Sequence, residues 1–376
     1  MRLPFRRTAA PPPVYLVSTA GHPNYGDELI TRAWLDHLAV RHPEREVWLD
    51  CPHPGRAVHL FHDTHPRVRF TDTLWELAMA SPSHDPREDE ARVVRLLTDL
   101  GSPKYDQGML ALRSMSSVHL LGGGYLNEMW QDNLGLVTAL RTLRREFGIP
   151  VHMTGQGLAP LGQYGPWLRE QVAAFDVIEV RDAESAAITG GDVGLDDAFL
   201  ALAGSRAVFD RSSSPDRMAL VQGDLRSWAD DDVLRSLRGF LDGVPLQQVG
   251  FIEAVPPDDI HFARLAAPSA KFYPFGHVWA DGLPARAGQD WLTTRFHVHL
   301  MAAAAGAAGT VISGRPGYYD VKHRSLLALG TGWRMIEAGD DMRDPAHQAT
   351  RDPAFPERAR SLARRKQALA DQLYPA

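Results

Sequence analysis

Cysteine is nearly absent from this 376-residue chain, where Cys51 stands alone. One thiol excludes an internal disulfide framework and any zinc site built on cysteine. Long apolar runs are missing too, and none approaches the ~20 residues needed to cross a bilayer. The opening MRLPFRRTAAPPP is basic but has no apolar core, so it does not read as a signal peptide. It reads as a disordered basic tail over residues 1–13, suited to a reversible contact with an anionic membrane surface. Lysine is scarce: only Lys104, Lys271, Lys322 and Lys366 occur among 40 basic residues. Arginine cannot release a proton near neutral pH, whereas lysine can, so those positions are of interest. There is no excess of positive charge. A formal net charge of -6 and a pI near 6.2 argue against general nucleic-acid binding. Neither a P-loop nor a GxGxxG fingerprint is present. These features fit a cytoplasmic protein, held if anywhere at the inner face of a membrane by its tail.

What is present is an alternation of short apolar runs and amphipathic stretches. The hydrophobic share, 44%, is ordinary for a globular protein, and the length suits two domains. Strands are expected at residues 14–18, 47–50, 68–71, 118–121, 151–154 and 176–180. Helices are expected at 28–40 and 134–147, the second stopped by Gly148 and Pro150. Residues 205–216 are rich in serine and arginine and lack periodicity, which marks a linker. A second alternation follows, with strands at 218–222, 247–252, 270–275, 310–313 and 333–336, helices at 233–241 and 301–308, and a last helix at 356–373. The expectation is an α/β fold of two doubly wound, Rossmann-like domains, residues 14–204 and 217–345, facing each other across a cleft. A C-terminal helix within residues 350–376 would pack back on either domain.

The chemistry concentrates in residues 291–322. Arg295 and His297 stand two residues apart before an alanine-rich helix, and a Gly/Pro/Tyr turn then delivers Lys322. Arginine grips carboxylate or phosphate through paired hydrogen bonds, and histidine moves protons near neutral pH. Solvated charges at a helix cap explain the same spacing equally well. His299 points to another side of the helix from His297 and reads as surface or core packing. Arg181 ends a strand, where open α/β sheets put ligand contacts, though an ion pair with Asp182 is an equal alternative. Asp27 opens a helix after a glycine-rich loop and suits a cap or a hydroxyl contact. Gly122, Gly123 and Gly124 follow a strand, where a ligand can approach the backbone closely. His59, His62 and His65 have the spacing of metal ligands, but proline and arginine surround them, so solvated loop histidines are the preferred reading.

Taken in order, these residues resemble the polysaccharide pyruvyl transferase family. The matching elements are Asn24-Tyr-Gly-Asp27, Gly122-Gly-Gly124, Val180-Arg181-Asp182 with Ser185, Asp197, Arg295-Phe-His297 and Lys322, across roughly residues 14–330. The resemblance implies a fold like that of GT-B glycosyltransferases. It implies transfer of a pyruvyl group from phosphoenolpyruvate to a sugar of a polysaccharide, glycolipid or precursor, usually as a cyclic ketal. Carried over by position, Arg181 and Arg295 would hold the donor's carboxylate and phosphate, His297 would be the acid/base, and Lys322 would bind anion. Asn24, Asp27 and the three glycines would line the cleft. No metal or other cofactor is implied, and the partners are phosphoenolpyruvate and a saccharide or glycan-precursor acceptor. The rival readings are a GT-B nucleotide-sugar glycosyltransferase and a non-catalytic saccharide-binding relative.

Overall fold

The computed structural model describes residues 11–225, 227–315 and 317–375. Among them, two all-parallel sheets of seven and six strands organise the chain. The first contains β1 (Val14–Val17), β2 (Val47–Asp50), β3 (Val68–Thr71), β4 (Ser117–Leu120), β5 (Val151–Gln156), β6 (Val177–Val180) and β7 (Asp192–Val193). The second contains β8 (Arg217–Leu220), β9 (Val249–Ile252), β10 (Lys271–Tyr273), β11 (Asp290–Thr293), β12 (Ala308–Ile312) and β13 (Arg334–Ile336). Strands such as VYLV in β1 and VGFI in β9 are buried along their whole length, because helices cover both faces of a parallel sheet.

The strand orders are β3-β2-β1-β4-β5-β6-β7 and β10-β9-β8-β11-β12-β13. In each sheet the chain reverses its winding at one place, between β1 and β4 and between β8 and β11. A parallel sheet opens a crevice at the carboxyl ends of the strands flanking such a reversal. The loop after β1 carries Asn24 and leads into the Tyr25–Arg41 helix with Asp27 in its first turn, and the loop after β4 carries Gly124. The loop after β11 carries Arg295. Both crevices therefore open onto one cleft.

The two halves share a core. Leu29 and Trp34 from the first half and Trp291 and Met301 from the second lie in one buried cluster, together with Phe355 and Tyr374. The C-terminal helix Phe355–Leu373 packs on the Ala198–Ala203 helix of the first half and the Phe296–Ala304 helix of the second. Its Lys366 is buried, donates to the Leu195 carbonyl at 2.9 Å, and pairs with Glu179 and, at 2.5 Å, with Asp197 Oδ1.

Three local expectations change. The sequence marks no strand before Arg295, but Asp290–Thr293 forms β11 and completes a βαβ unit with β12. Lys322 lies within the Tyr319–Ala328 helix rather than on the preceding loop. Residues 53–112 form four short helices, Pro54–Phe61, Thr73–Met79, Glu90–Thr98 and Asp106–Leu112. Each spans only two to three turns, too few for apolar periodicity to stand out. Of the tail expected over residues 1–13, residues 1–10 lie outside the described residues. Among the described residues no helix is long and apolar enough to cross a membrane.

Candidate functional site

The cleft has a volume of about 440 Å³ and is lined from both halves. Its first-half wall includes Asn24, Asp27, Gly124 and Arg181, and its second-half wall includes Arg295, His297, Tyr318 and Lys322.

Arg181 leaves the end of β6 and is buried. Its Nη1 donates to Asp196 Oδ2 at 2.8 Å, and its guanidinium lies 4.5 Å from the centre of the Phe296 ring. Its Nε and Nη2 are buried without a hydrogen-bond partner. A guanidinium has five donors in a fixed fork, and leaving charged donors bare in a low-dielectric interior is costly. A Cβ built on Gly157 would lie 2.4 Å from both bare nitrogens, so this glycine gives the fork its room. Asp182 does not cover the fork. It stands 3.9 Å from Nε and instead caps the Ala183–Thr189 helix by accepting from Ser185 N–H at 2.8 Å.

Lys322 approaches from the second half. Its Nζ sits 3.4 Å from the centre of the Tyr318 ring. A Cβ on Gly124 would lie 2.6 Å from that Nζ and 3.3 Å from Arg181 Nη2, so the two cations converge on the face of Gly124. Burial, and then the neighbouring Arg181, push the Lys322 ammonium well below its ordinary range. An anion between these cations would relieve both effects.

His297 occupies the first turn of the Phe296–Ala304 helix. Its Nε2 lies 3.3 Å from Asp196 Oδ1. Asp196 therefore holds Arg181 with one oxygen and His297 with the other. Burial raises the Asp196 pKa, but His297 and Arg181 outweigh it and hold the carboxyl below its usual range. Nδ1 of His297 packs against Gly26, where a Cβ would lie 1.7 Å from it. Gly26 is in the first turn of the Tyr25–Arg41 helix, which opens on the cleft.

The start of that helix has few free donors. Asn24 caps it, accepting from Gly26 N–H at 3.3 Å, and donates through Nδ2 to Asp27 Oδ2 at 2.8 Å. Tyr25 N–H donates to Ala254 O of the second half at 2.9 Å. The cap thus belongs to Asn24, and Asp27 turns into the cleft. Burial raises the Asp27 carboxyl, while His297 and Lys322 oppose that shift.

Arg295 lines the cleft already paired. Its Nε and Nη2 donate to Asp259 Oδ1 at 3.1 and 2.7 Å, and Nη2 also reaches Asp224 Oδ1 at 2.7 Å. Asp259 is fixed in turn by the N–H groups of Ala254 and Val255. Of the three glycines, Gly124 lines the cleft and its carbonyl accepts from Tyr318 O–H across the halves at 3.1 Å. Gly122 instead donates its N–H to Asp197 Oδ2 at 2.8 Å. Gly123, at φ 155°, holds the turn between them.

His299, His65, His59 and His62 lie outside the cleft lining. His299 is buried, stacked on Trp333, with Nδ1 at 3.2 Å from His323 Nδ1 and Nε2 at 3.0 Å from the Thr331 hydroxyl. His65 is buried and uses both ring nitrogens on backbone, at His42 O and Arg67 N–H. His59 and His62 lie at the C-terminal end of the Pro54–Phe61 helix, with His62 as its cap residue.

Asp196, the link between Arg181 and His297, is absent from the sequence-based site, as are the Asp259 and Asp224 partners of Arg295. The repeated aspartate at 196–197 was the one available signal. Asp197 lies under the glycine turn, bonded to Gly122, Trp34 Nε1 and the Thr154 hydroxyl, whereas Asp196 bonds Arg181 and His297, which line the cleft.

A family model for polysaccharide pyruvyl transferase matches residues 24–315. No curated protein matches the chain. Among solved structures, the UDP-GlcNAc 2-epimerase of Neisseria meningitidis bound to UDP-GlcNAc is similar at 10% identity and a TM-score of 0.53, covering 96% of this chain and 99% of that one. A UDP-glucose:anthocyanidin 3-O-glucosyltransferase in complex with UDP is similar at 10% identity and a TM-score of 0.51, covering 97% and 96%. At such identities the likeness is one of fold, the two-domain GT-B arrangement.

Proposed function

The chain belongs to the polysaccharide pyruvyl transferase family, and from that premise we propose that it moves a pyruvyl group from phosphoenolpyruvate to a saccharide or glycan precursor, closing a ketal. One observation carries this reading. A bare, buried nitrogen of Arg181, Nη2, and the Nζ of Lys322 meet at Gly124, beside an imidazole held by a carboxylate. Such a pocket fits a small, highly charged anion that must accept a proton.

The chemistry follows from what each group can do. Arg181 and Lys322 bind the donor's carboxylate and phosphate, and they stabilise the negative charge that grows on the departing phosphate. His297 gives a proton to the methylene carbon, turning CH2 into CH3 and making the central carbon electrophilic. A sugar hydroxyl oxygen bonds to that carbon, and its proton returns to the imidazole. A second hydroxyl then forms the other C–O bond as the bond to phosphate breaks. Its proton leaves with the phosphate, so one phosphoenolpyruvate and one diol give one ketal and hydrogen phosphate. Asp196, 3.3 Å from Nε2, keeps His297 oriented. Asp27, across from His297, is set to accept a hydrogen bond from an acceptor hydroxyl. Arg295, already balanced by Asp259 and Asp224, adds positive potential to the cleft.

The test is phosphate release from phosphoenolpyruvate, screened against lipid-linked, nucleotide-linked and simple saccharides, with His297→Ala as control. Phosphate release that needs both acceptor and His297 supports the reading. Turnover of a UDP- or GDP-sugar with no response to phosphoenolpyruvate would overturn it in favour of a nucleotide-sugar glycosyltransferase. Saccharide binding that survives His297→Ala, with no turnover of any donor, would point to a binding protein.

A further inference from the structure

A three-carbon phosphate bound by Arg181 and Lys322 fills only one end of a 440 Å³ cleft. The space beyond Gly124, on the first-half side, has a different character. It is walled by Trp75, Met79, Tyr125 and Trp130, with no cation among them. Met79 is 53% exposed, an apolar side chain left facing the opening. Trp130 sits at a kink in the Glu128–Leu134 turn, where its φ of -128° and ψ of 61° leave the helical region. Its ring meets Tyr318 of the second half edge-on at 6.0 Å, so the wall is completed across the cleft. Trp75 tilts against Tyr125 with ring centres 5.8 Å apart. Trp75 is only 3% exposed, and its indole N–H is buried with no hydrogen-bond partner. A buried indole normally finds an acceptor, so this donor awaits one.

We propose that this aromatic wall is the subsite for the acceptor sugar, with Trp130 packing on an apolar ring face and the Trp75 N–H donating to a hydroxyl of the same ring. This rests on the transfer reading above and extends it to the acceptor. A pyranose has what the wall lacks. Its C–H face covers aromatic carbon, and its hydroxyl oxygens supply the acceptor that Trp75 is missing. A sugar held there projects its hydroxyls past Gly124 toward Asp27 and His297. Recognition is therefore divided: the cations read the donor and the indoles read the acceptor.

Two variants test the division. Trp130→Ala removes the platform, and Trp75→Phe removes the N–H together with one ring of the indole. With the best acceptor from the phosphate-release screen, each should raise the acceptor KM, on the order of tenfold, and leave the phosphoenolpyruvate KM within about twofold. A parallel measurement needs no turnover: saturation-transfer NMR with methyl glycosides and with UDP-N-acetylglucosamine, on the wild type and both variants. Sugar-ring protons should receive transfer from the wild type and lose most of it with Trp130→Ala. Unchanged acceptor KM in both variants, equal transfer to all three proteins, or no transfer from the wild type would each overturn the subsite. If the wild type binds sugars through Trp130 but releases no phosphate from phosphoenolpyruvate, the subsite stands and the donor assignment falls.

Discussion

Gly26→Ala sets helix propensity against the site. Gly26 lies in the first turn of a 17-residue helix and its φ is not positive, so alanine suits its backbone. Replacing glycine with alanine inside a helix is favourable by up to ~1 kcal/mol, less in the first turn. The new methyl group, however, would sit 1.7 Å from Nδ1 of His297, 2.4 Å from its Cγ and 2.5 Å from its Cε1. Ordinary contact lies at roughly 3.5 Å, so the ring must retreat by about 2 Å. Such a retreat breaks its 3.3 Å approach to Asp196. A misplacement of ~1 Å in a reacting group already costs on the order of 10²-fold. Turnover of Gly26→Ala should therefore fall by at least ~10²-fold, about 2.7 kcal/mol in barrier. The atoms nearest the new methyl group all belong to His297, so the phosphoenolpyruvate KM should hold. The assay is steady-state phosphate release at saturating acceptor, beside a thermal melt. A stable variant with wild-type turnover would show that His297 does not act from this position.

Other outcomes follow from the same contacts. Asp196→Asn keeps the shape but removes the charge shared by His297 and Arg181, so turnover should drop ~10²-fold or more, with a smaller change in donor KM; equal effects on both constants would assign Asp196 to donor binding alone. Lys322 is held below its ordinary pKa by burial and Arg181, and a bound anion raises it again. Binding of phosphoenolpyruvate should then take up a proton, with affinity falling as pH rises from the lowered value toward the lysine range of about 10.4. Calorimetry in buffers of different ionisation enthalpy reads that uptake, and Lys322→Met should abolish it; uptake that persists in the variant belongs to another group. Lys366→Met leaves Glu179 and Asp197 buried without their counter-charge and should lower stability by ~3–5 kcal/mol, seen as an earlier urea midpoint. An unmoved midpoint would mean that the helix contributes nothing through this pair.

Much of this architecture was readable from the order of residues, because buried parallel strands are short continuous apolar runs punctuated by glycine and proline. Residues 47–50 and 68–71 emerge as β2 and β3 with those bounds. The WLT run of β11 carries no strand mark in the sequence, since no glycine or proline separates it from the helix that follows. At the site, Arg181, His297 and Lys322 could be singled out because their chemistry is particular to arginine, histidine and lysine. Asp196, Asp224 and Asp259 could not, because an aspartate's partner is set by folding. Asp259 lies 36 residues and Asp224 lies 71 residues from Arg295, so no local spacing reports either contact. Trp75 and Trp130 were likewise silent, since an aromatic residue in a helical stretch looks the same whether it faces a core or a cleft.

The buried ammonium of Lys366 also fixes an order of events during synthesis. Glu179 and Asp197 leave the ribosome well over 150 residues ahead of their shared counter-ion. Until then the first sheet carries two uncompensated carboxylates where its interior should be dry, and the groove beside the Ala198–Ala203 helix stays uncovered. The amino-terminal half therefore matures only once the Phe355–Leu373 helix has been made and has docked.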